Sequence, residues 1–189
     1  IHKMALAVEI ATRSNCVKAH VGAIILVDDR IRATGYNGTI NEYDNCFDGG
    51  CPRCKDLSKG SGQELDRCVC VHAEENALVS AARYGIPVED AHCYVTHEPC
   101  LGCTKLLIQS GITRVVYLVE YQYPDELDHN ASRVAMRRHS EEQIRGGKRG
   151  TVFSQFDKSR EDAEPLEERL DDMKERALAY ARTKGVVIG

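Results

Sequence analysis

The sequence predicts an α/β fold: a three-layer α/β/α sandwich around a mixed central sheet of about five strands, followed by a charged C-terminal helix. Three observations point there. Two β-branched, apolar runs flank an Asp-Asp turn, which reads as an antiparallel hairpin. Helical and strand-like segments alternate after it. One later run, Arg114 to Val119, is almost continuously apolar, as a strand covered on both faces should be.

In chain order, Met4, Val8 and Ala11 recur at helical spacing, so residues 1 to about 13 predict an amphipathic helix. Val21 to Val27 and Ile31 to Tyr36 are the hairpin strands around Asp28-Asp29. Gly38 to Val69 then holds five glycines, four cysteines and little apolar periodicity. A loop that long is uncommon unless it is stapled or functional. His72 to Tyr84 predicts a helix closed by Gly85 and Pro87. Ala91 to Thr96 is a strand, Cys100 to Ser110 a helix stopped by Gly111, and Arg114 to Val119 a strand. Residues 125 to 144 are mostly helical in pattern, and Thr151 to Phe156 is the final strand. Beyond it, 16 of the 33 residues from Asp157 to Gly189 are charged. Leu166, Leu170, Met173, Ala177 and Tyr180 form a narrow stripe there, starting just after Pro165. That stripe fits a solvated helix laid along the body better than a subunit contact.

The 189 residues suit one main domain. No run approaches the roughly 18 apolar residues of a membrane helix. No basic leader with an apolar core opens the chain, and a cytoplasmic location is expected. A formal charge of −4, 6% aromatic residues and no tryptophan argue against a surface built to coat nucleic acid.

Nine cysteines are the anomaly. The odd number and the chain length count against a disulfide scaffold. Cys51-Pro-Arg-Cys54 and Cys100-Leu-Gly-Cys103 have a spacing that lets two thiolates reach one tetrahedral metal. Cys93, in an apolar strand, reads as a buried inert thiol.

His72-Ala73-Glu74 opens one helix and Pro99-Cys100-Leu101-Gly102-Cys103 opens another. One imidazole and two thiolates bind Zn²⁺ and leave a fourth position for water. Both cysteines fall in a first helical turn, where free N–H groups and the dipole favour thiolates. Glu74 sits two residues from the ligand His72, placed to take a proton from that water and hand it to a substrate nitrogen. A closed, purely structural zinc site is the competing reading. A His-x-Glu followed by Pro-Cys-x-x-Cys is the signature of zinc-dependent nucleobase deaminases, which favours catalysis.

Arg13-Ser14-Asn15-Cys16, Val21-Gly22-Ala23-Ile24-Ile25, Gly35-Tyr36-Asn37-Gly38, His72-Ala73-Glu74-Glu75-Asn76-Ala77 and Gln109-Ser110-Gly111-Ile112 resemble the deoxycytidylate (dCMP) deaminase family, of the cytidine deaminase-like superfold. Asn45-Cys46-Phe47 and Gly49-Gly50-Cys51-Pro52-Arg53-Cys54 resemble its cysteine-rich branch. The resemblance covers about residues 1 to 125. It implies a deaminase-like domain over residues 1–156 and a charged helical extension over 157–189.

The implied reaction is hydrolysis of dCMP to dUMP and ammonia, in pyrimidine deoxynucleotide metabolism that supplies dTTP. An activated water attacks C4 while Glu74 protonates N3 and then the departing amine. The resemblance also implies that Asn37 contacts the sugar, that Tyr121 contacts phosphate and that Ala73 lines the substrate site. Arg13 is a further phosphate candidate, because a guanidinium fork suits phosphate oxygens. The alternatives are an Asn37 that only holds a Tyr-Asn-Gly turn and an Arg13 that is a solvated charge at a helix C-terminus. The resemblance implies a homo-oligomer, typically a hexamer, regulated by dCTP and dTTP through Gly35, Tyr36, Asn37 and Gly38. A triphosphate effector would bring Mg²⁺ with it. Cys16, Cys46 and Cys70 fall where related enzymes place ligands of a structural zinc, with Cys51, Cys54 and Cys68 as further thiols. At least one structural zinc is therefore expected, and the partition of six thiols stays open. The alternatives are a modified dCMP or dCTP as substrate, a base in RNA or single-stranded DNA, and a non-catalytic zinc-binding interaction module.

Overall fold

The structure is a computed structural model and describes residues 2–56, 58, 63–64, 67–120, 136, 138–140, 142–147, 150–157, 159 and 163–186. Helix α1 is His2–Ala11, followed by β1 (Gly22–Val27), β2 (Arg30–Tyr36) and the short β3 (Gly38–Thr39). A 3₁₀ turn, Cys46–Asp48, and a one-turn helix α2, Pro52–Lys55, punctuate the cysteine-rich loop before β4 (Cys70–Val71). Then come α3 (Ala73–Arg83), β5 (His92–His97), α4 (Leu101–Gln109), β6 (Arg114–Val119) and β7 (Val152–Gln155). The C-terminal helix is Ala163–Thr183. Residues 136, 138–140 and 142–145 are helical, and the rest of the expected helix over 125–144 lies outside the described residues. Among the described residues no helix is long and apolar enough to cross a membrane.

The central sheet runs β2-β1-β5-β6-β7, and β3 pairs with β4 as a separate ribbon. β1 is antiparallel to both β2 and β5, whereas β5-β6 and β6-β7 are parallel, so the sheet is mixed as expected. The hairpin turns on Asp28 and Asp29, both with positive φ (51° and 60°), a geometry Asp tolerates better than most residues. Strand alternation decides which helices cover which face. Ala23 and Ile25 of β1, with Cys93, Val95 and Val115, pack on Ala73, Ala77 and Ala81 of α3 and Leu107 of α4. Ile24 and Leu26, with Val116 and Leu118, pack on Met4, Ala7, Val8 and Ala11 of α1 and on Leu170 of the C-terminal helix. Three layers result.

Two glycines set the layer spacing. A Cβ at Gly22 would lie 2.1 Å from Ala7 O, and one at Gly35 would lie 2.1 Å from Ala73 O. Each strand meets its helix backbone to backbone, across alanines, a contact no larger residue permits.

The C-terminal helix begins at Ala163, two residues before Pro165, which therefore sits in the first turn where its missing N–H costs nothing. Leu170 and Ala177 of the predicted stripe are buried, and Ala181 beyond it is buried as well. Tyr180 is 42% exposed, yet its ring meets Phe47 edge-on at 5.2 Å.

Candidate active site

The helix starts carry the chemistry. His72 is the N-cap of α3 and Cys100 the N-cap of α4, both with extended backbone, and Cys103 lies in α4's first turn. Neither side chain is spent on a capping hydrogen bond, so both stay available at helix N-termini, where the dipole favours thiolate. The sulfurs of Cys100 and Cys103 stand 3.5 and 3.4 Å from His72 Nδ1, and the three donor atoms lie within 4.8 Å of one another. A tetrahedral zinc with bonds of about 2.3 Å to sulfur and about 2.0 Å to nitrogen puts N and S about 3.6 Å apart. The donor set fits that ion in both chemistry and spacing.

The three donors shift one another's protonation, with the Cys103 thiol pushed up by Cys100 and by burial. The Cys100 thiol is held down to about 4, chiefly by the hydrogen bond from Cys103 and further by His72, against the opposing effect of burial. Its hydrogen bond with Cys100 raises the His72 imidazole to about 9. Glu74, 4% exposed, is pushed up to about 7 by burial, while the His72 charge, its own backbone N–H and the Cys103 thiol pull the other way. A carboxyl held near neutrality beside three metal-type donors can both take and return a proton. Ala73 is fully buried between them, on the core side of α3. Behind them, Cys93 is fully buried and burial pushes its thiol up, as an inert core cysteine requires.

The sequence-predicted substrate residues fare differently. Asn37 is buried and largely committed to its own fold: Oδ1 accepts from Ser14 Oγ (2.7 Å) and the Val21 N–H (2.8 Å), and Nδ2 donates to Ala19 O (2.9 Å). That uses three of the four hydrogen bonds an amide side chain can make. Arg13 is exposed, its guanidinium 5.7 Å over the Tyr36 ring. Tyr121 lies outside the described residues. Gly35 serves the α3 contact, and Gly38 lies beside Asn15, whose side chain bonds Thr39 and Asn45.

Ser14, Asn15 and Asn76 stand in the sequence only as letters of motifs. Ser14 and Asn15 buttress Asn37 and the loop, and Asn76 Nδ2 donates to Tyr36 O at 2.7 Å, tying α3 to β2. Small polar residues inside apolar helical or turn patterns were the available signal. The other six cysteines converge in two overlapping quartets, Cys16-Cys46-Cys54-Cys70 and Cys51-Cys54-Cys68-Cys70.

Residues 2–119 match the family model of the cytidine and deoxycytidylate deaminase zinc-binding region. The deoxycytidylate deaminase of Saccharomyces cerevisiae is 46% identical over 123 residues, 65% of this chain and 38% of that protein. Its counterpart in Schizosaccharomyces pombe is 48% identical over 111 residues, 59% of this chain and 34% of that protein. The matched region thus spans little more than a third of either relative. A crystal structure of dCMP deaminase from the cyanophage S-TIM5, in complex with dCMP and dUMP, is similar with a TM-score of 0.58 and 28% identity, over 82% of this chain and 94% of that one.

Proposed function

The chain belongs to the cytidine and deoxycytidylate deaminase zinc-binding family, and on that premise we propose that it hydrolyses dCMP to dUMP and ammonia. One observation carries the reading: His72, Cys100 and Cys103 present three donors with the buried carboxyl of Glu74 alongside, and among the described residues no fourth donor joins them. A zinc ion held there supplies the Lewis acidity that makes water nucleophilic near neutral pH. Glu74 takes the proton of the attacking water and gives it to N3 of the pyrimidine as the C4–O bond forms. It then moves the second water proton to the exocyclic amine, which leaves as ammonia when the C4–N bond breaks.

The substrate class rests on relatives named as deoxycytidylate deaminases and on the neighbour seen with dCMP and dUMP. In this reading the remaining Asn37 N–H faces the sugar, Ala73 lines the base site, and Arg13 and Tyr121 hold phosphate. The product feeds dTTP supply, in a homo-oligomer, a hexamer by family resemblance. Control by dCTP with Mg²⁺ and by dTTP would act through Gly35–Gly38. The Asn76–Tyr36 hydrogen bond supports that route, because it links this segment to the helix that carries Glu74.

Ammonia release should be followed from dCMP, CMP, dCTP, deoxycytidine, 5-substituted dCMP and a cytosine-containing oligonucleotide, with and without dCTP as effector. Preferred turnover of dCMP is expected. Turnover of the oligonucleotide or free nucleoside with none of dCMP would overturn the assignment.

A further inference from the structure

Six sulfurs meet where four chain segments cross. Cys16 follows α1, Cys46 opens the 3₁₀ turn, Cys51 and Cys54 belong to α2 and its N-cap, and Cys68 and Cys70 lead into β4. Five of the six are buried, and they share a cluster with Val17 and with Ala181 of the C-terminal helix. Their separations are those of a metal's ligand shell. Cys16 and Cys54 sulfurs are 3.9 Å apart, Cys51 and Cys68 3.7 Å, and Cys54 and Cys68 4.0 Å. Zinc–sulfur bonds of about 2.3 Å at tetrahedral angles give a sulfur–sulfur edge of about 3.8 Å.

The two quartets share two members. In each, all four sulfurs lie within 4.8 Å of one another, and Cys54 and Cys70 belong to both. Two tetrahedra with a common edge have six corners, which matches the six thiols without remainder. We propose that these cysteines form one binuclear zinc–thiolate site, with Cys16 and Cys46 terminal on one ion, Cys51 and Cys68 terminal on the other, and Cys54 and Cys70 bridging both.

A single ion would leave either Cys51 and Cys68 or Cys16 and Cys46 as bystanders, although both pairs stand in equivalent relation to the shared edge. Charge permits two ions: six thiolates and two divalent cations sum to −2, the same as four thiolates on one cation beside two neutral thiols, so filling the second quartet adds no uncompensated buried charge. Arg53, itself buried on α2, and Lys18, within electrostatic reach of Cys16, Cys54 and Arg53, provide cationic balance. Tetrahedral all-sulfur coordination selects zinc among hydrated divalent ions, with iron as the competitor. The site also replaces a core: the loop has few apolar side chains of its own, so metal-binding free energy becomes the free energy that orders it.

Metal content of the chain, purified without chelators, tests this directly by inductively coupled plasma mass spectrometry and native mass spectrometry. Three zinc ions per chain are expected, one at His72-Cys100-Cys103 and two at the cluster. Cys51→Ser with Cys68→Ser should bring the total to two, and so should Cys16→Ser with Cys46→Ser. Cys100→Ser should also remove one ion, but from the other site, which separates failure here from failure of the proposed activity. Two ions in the parent chain with no loss in the Cys51/Cys68 double variant would overturn the proposal, as would iron or disulfides at the cluster. Should the variants not fold, ¹¹³Cd substitution of the parent chain decides it. Two cluster resonances coupled to each other through bridging sulfur are expected, and a single uncoupled one would refute the arrangement.

Discussion

Glu74 is buried yet titrates near neutrality, and its one carboxyl is asked to move two protons in the proposed reaction. Glu74→Gln keeps the volume and most of the hydrogen bonding, so fold and zinc content should persist. Turnover should fall by roughly 10²- to 10⁴-fold, the usual contribution of a positioned acid–base group. Steady-state ammonia release alongside metal analysis checks this, and unchanged turnover would remove Glu74 from the mechanism. Gly35 makes a different demand. An alanine there would set its Cβ 2.1 Å from Ala73 O, a backbone atom that cannot swing aside. Gly35→Ala should cost at least about 1–3 kcal/mol, read as a lower urea midpoint, because the whole of α3 must shift.

At the scale of elements, Leu170 ties the C-terminal helix to the body of the fold. Leu170 is 5% exposed against α1 and the sheet, and an exposed ion pair between Arg169 and Glu9 adds little. Leu170→Ala should therefore destabilise by about 2–4 kcal/mol in urea titrations, whereas Arg169→Ala should lie within about 1 kcal/mol of the parent. The same elements show where sequence is readable. The hairpin announced itself through β-branched runs and a pair of aspartates, and α3 and α4 through their caps and the glycines at 85 and 111, which adopt φ of 63° and 78°. The ribbon of β3 and β4 was invisible, since two two-residue strands 30 residues apart carry no periodicity. The convergence of His72, Cys100 and Cys103 was legible because its spacing is local to two helix starts. Partition of the other six cysteines was not, because Cys16 meets Cys54 across 38 positions, a proximity that only the fold creates. The Asn37 side chain is occupied by hydrogen bonds with residues 14, 19 and 21, partners that only the fold brings beside it.

Across the whole molecule, protons and metal bear on stability in separable ways. Burial holds His97 down to about 4, with Asp171 and Lys174 of the C-terminal helix and His20 as charged or titratable neighbours. An unfolded chain takes up that proton as pH falls past about 6.5, the folded chain only near 4. The stabilisation is thus complete above about pH 6.5 and lost progressively between 6.5 and 4. It amounts to at most about 3 kcal/mol, since the residue keeps some exposure. His97→Gln should flatten the pH dependence of the urea midpoint in that window, and an unaltered slope would assign acid sensitivity elsewhere. Metal removal should act regionally. Stripping the ions with a strong chelator should speed amide exchange through residues 40–56, 67–71 and the C-terminal helix that packs on them. β1, β5 and β6, buried on both faces, should stay protected in the same hydrogen-exchange experiment.

Main-chain contact between Gly35 and α3 also bears on how such a protein can diverge. The helix that carries His72 at its head rests on atoms every amino acid shares, so its height above the sheet is indifferent to most side-chain replacement. Val79 and Tyr84, on its solvent side, take no part in that contact. Lineages can therefore recolour that outer surface, and acquire new neighbours there, while the reactive end keeps its aim.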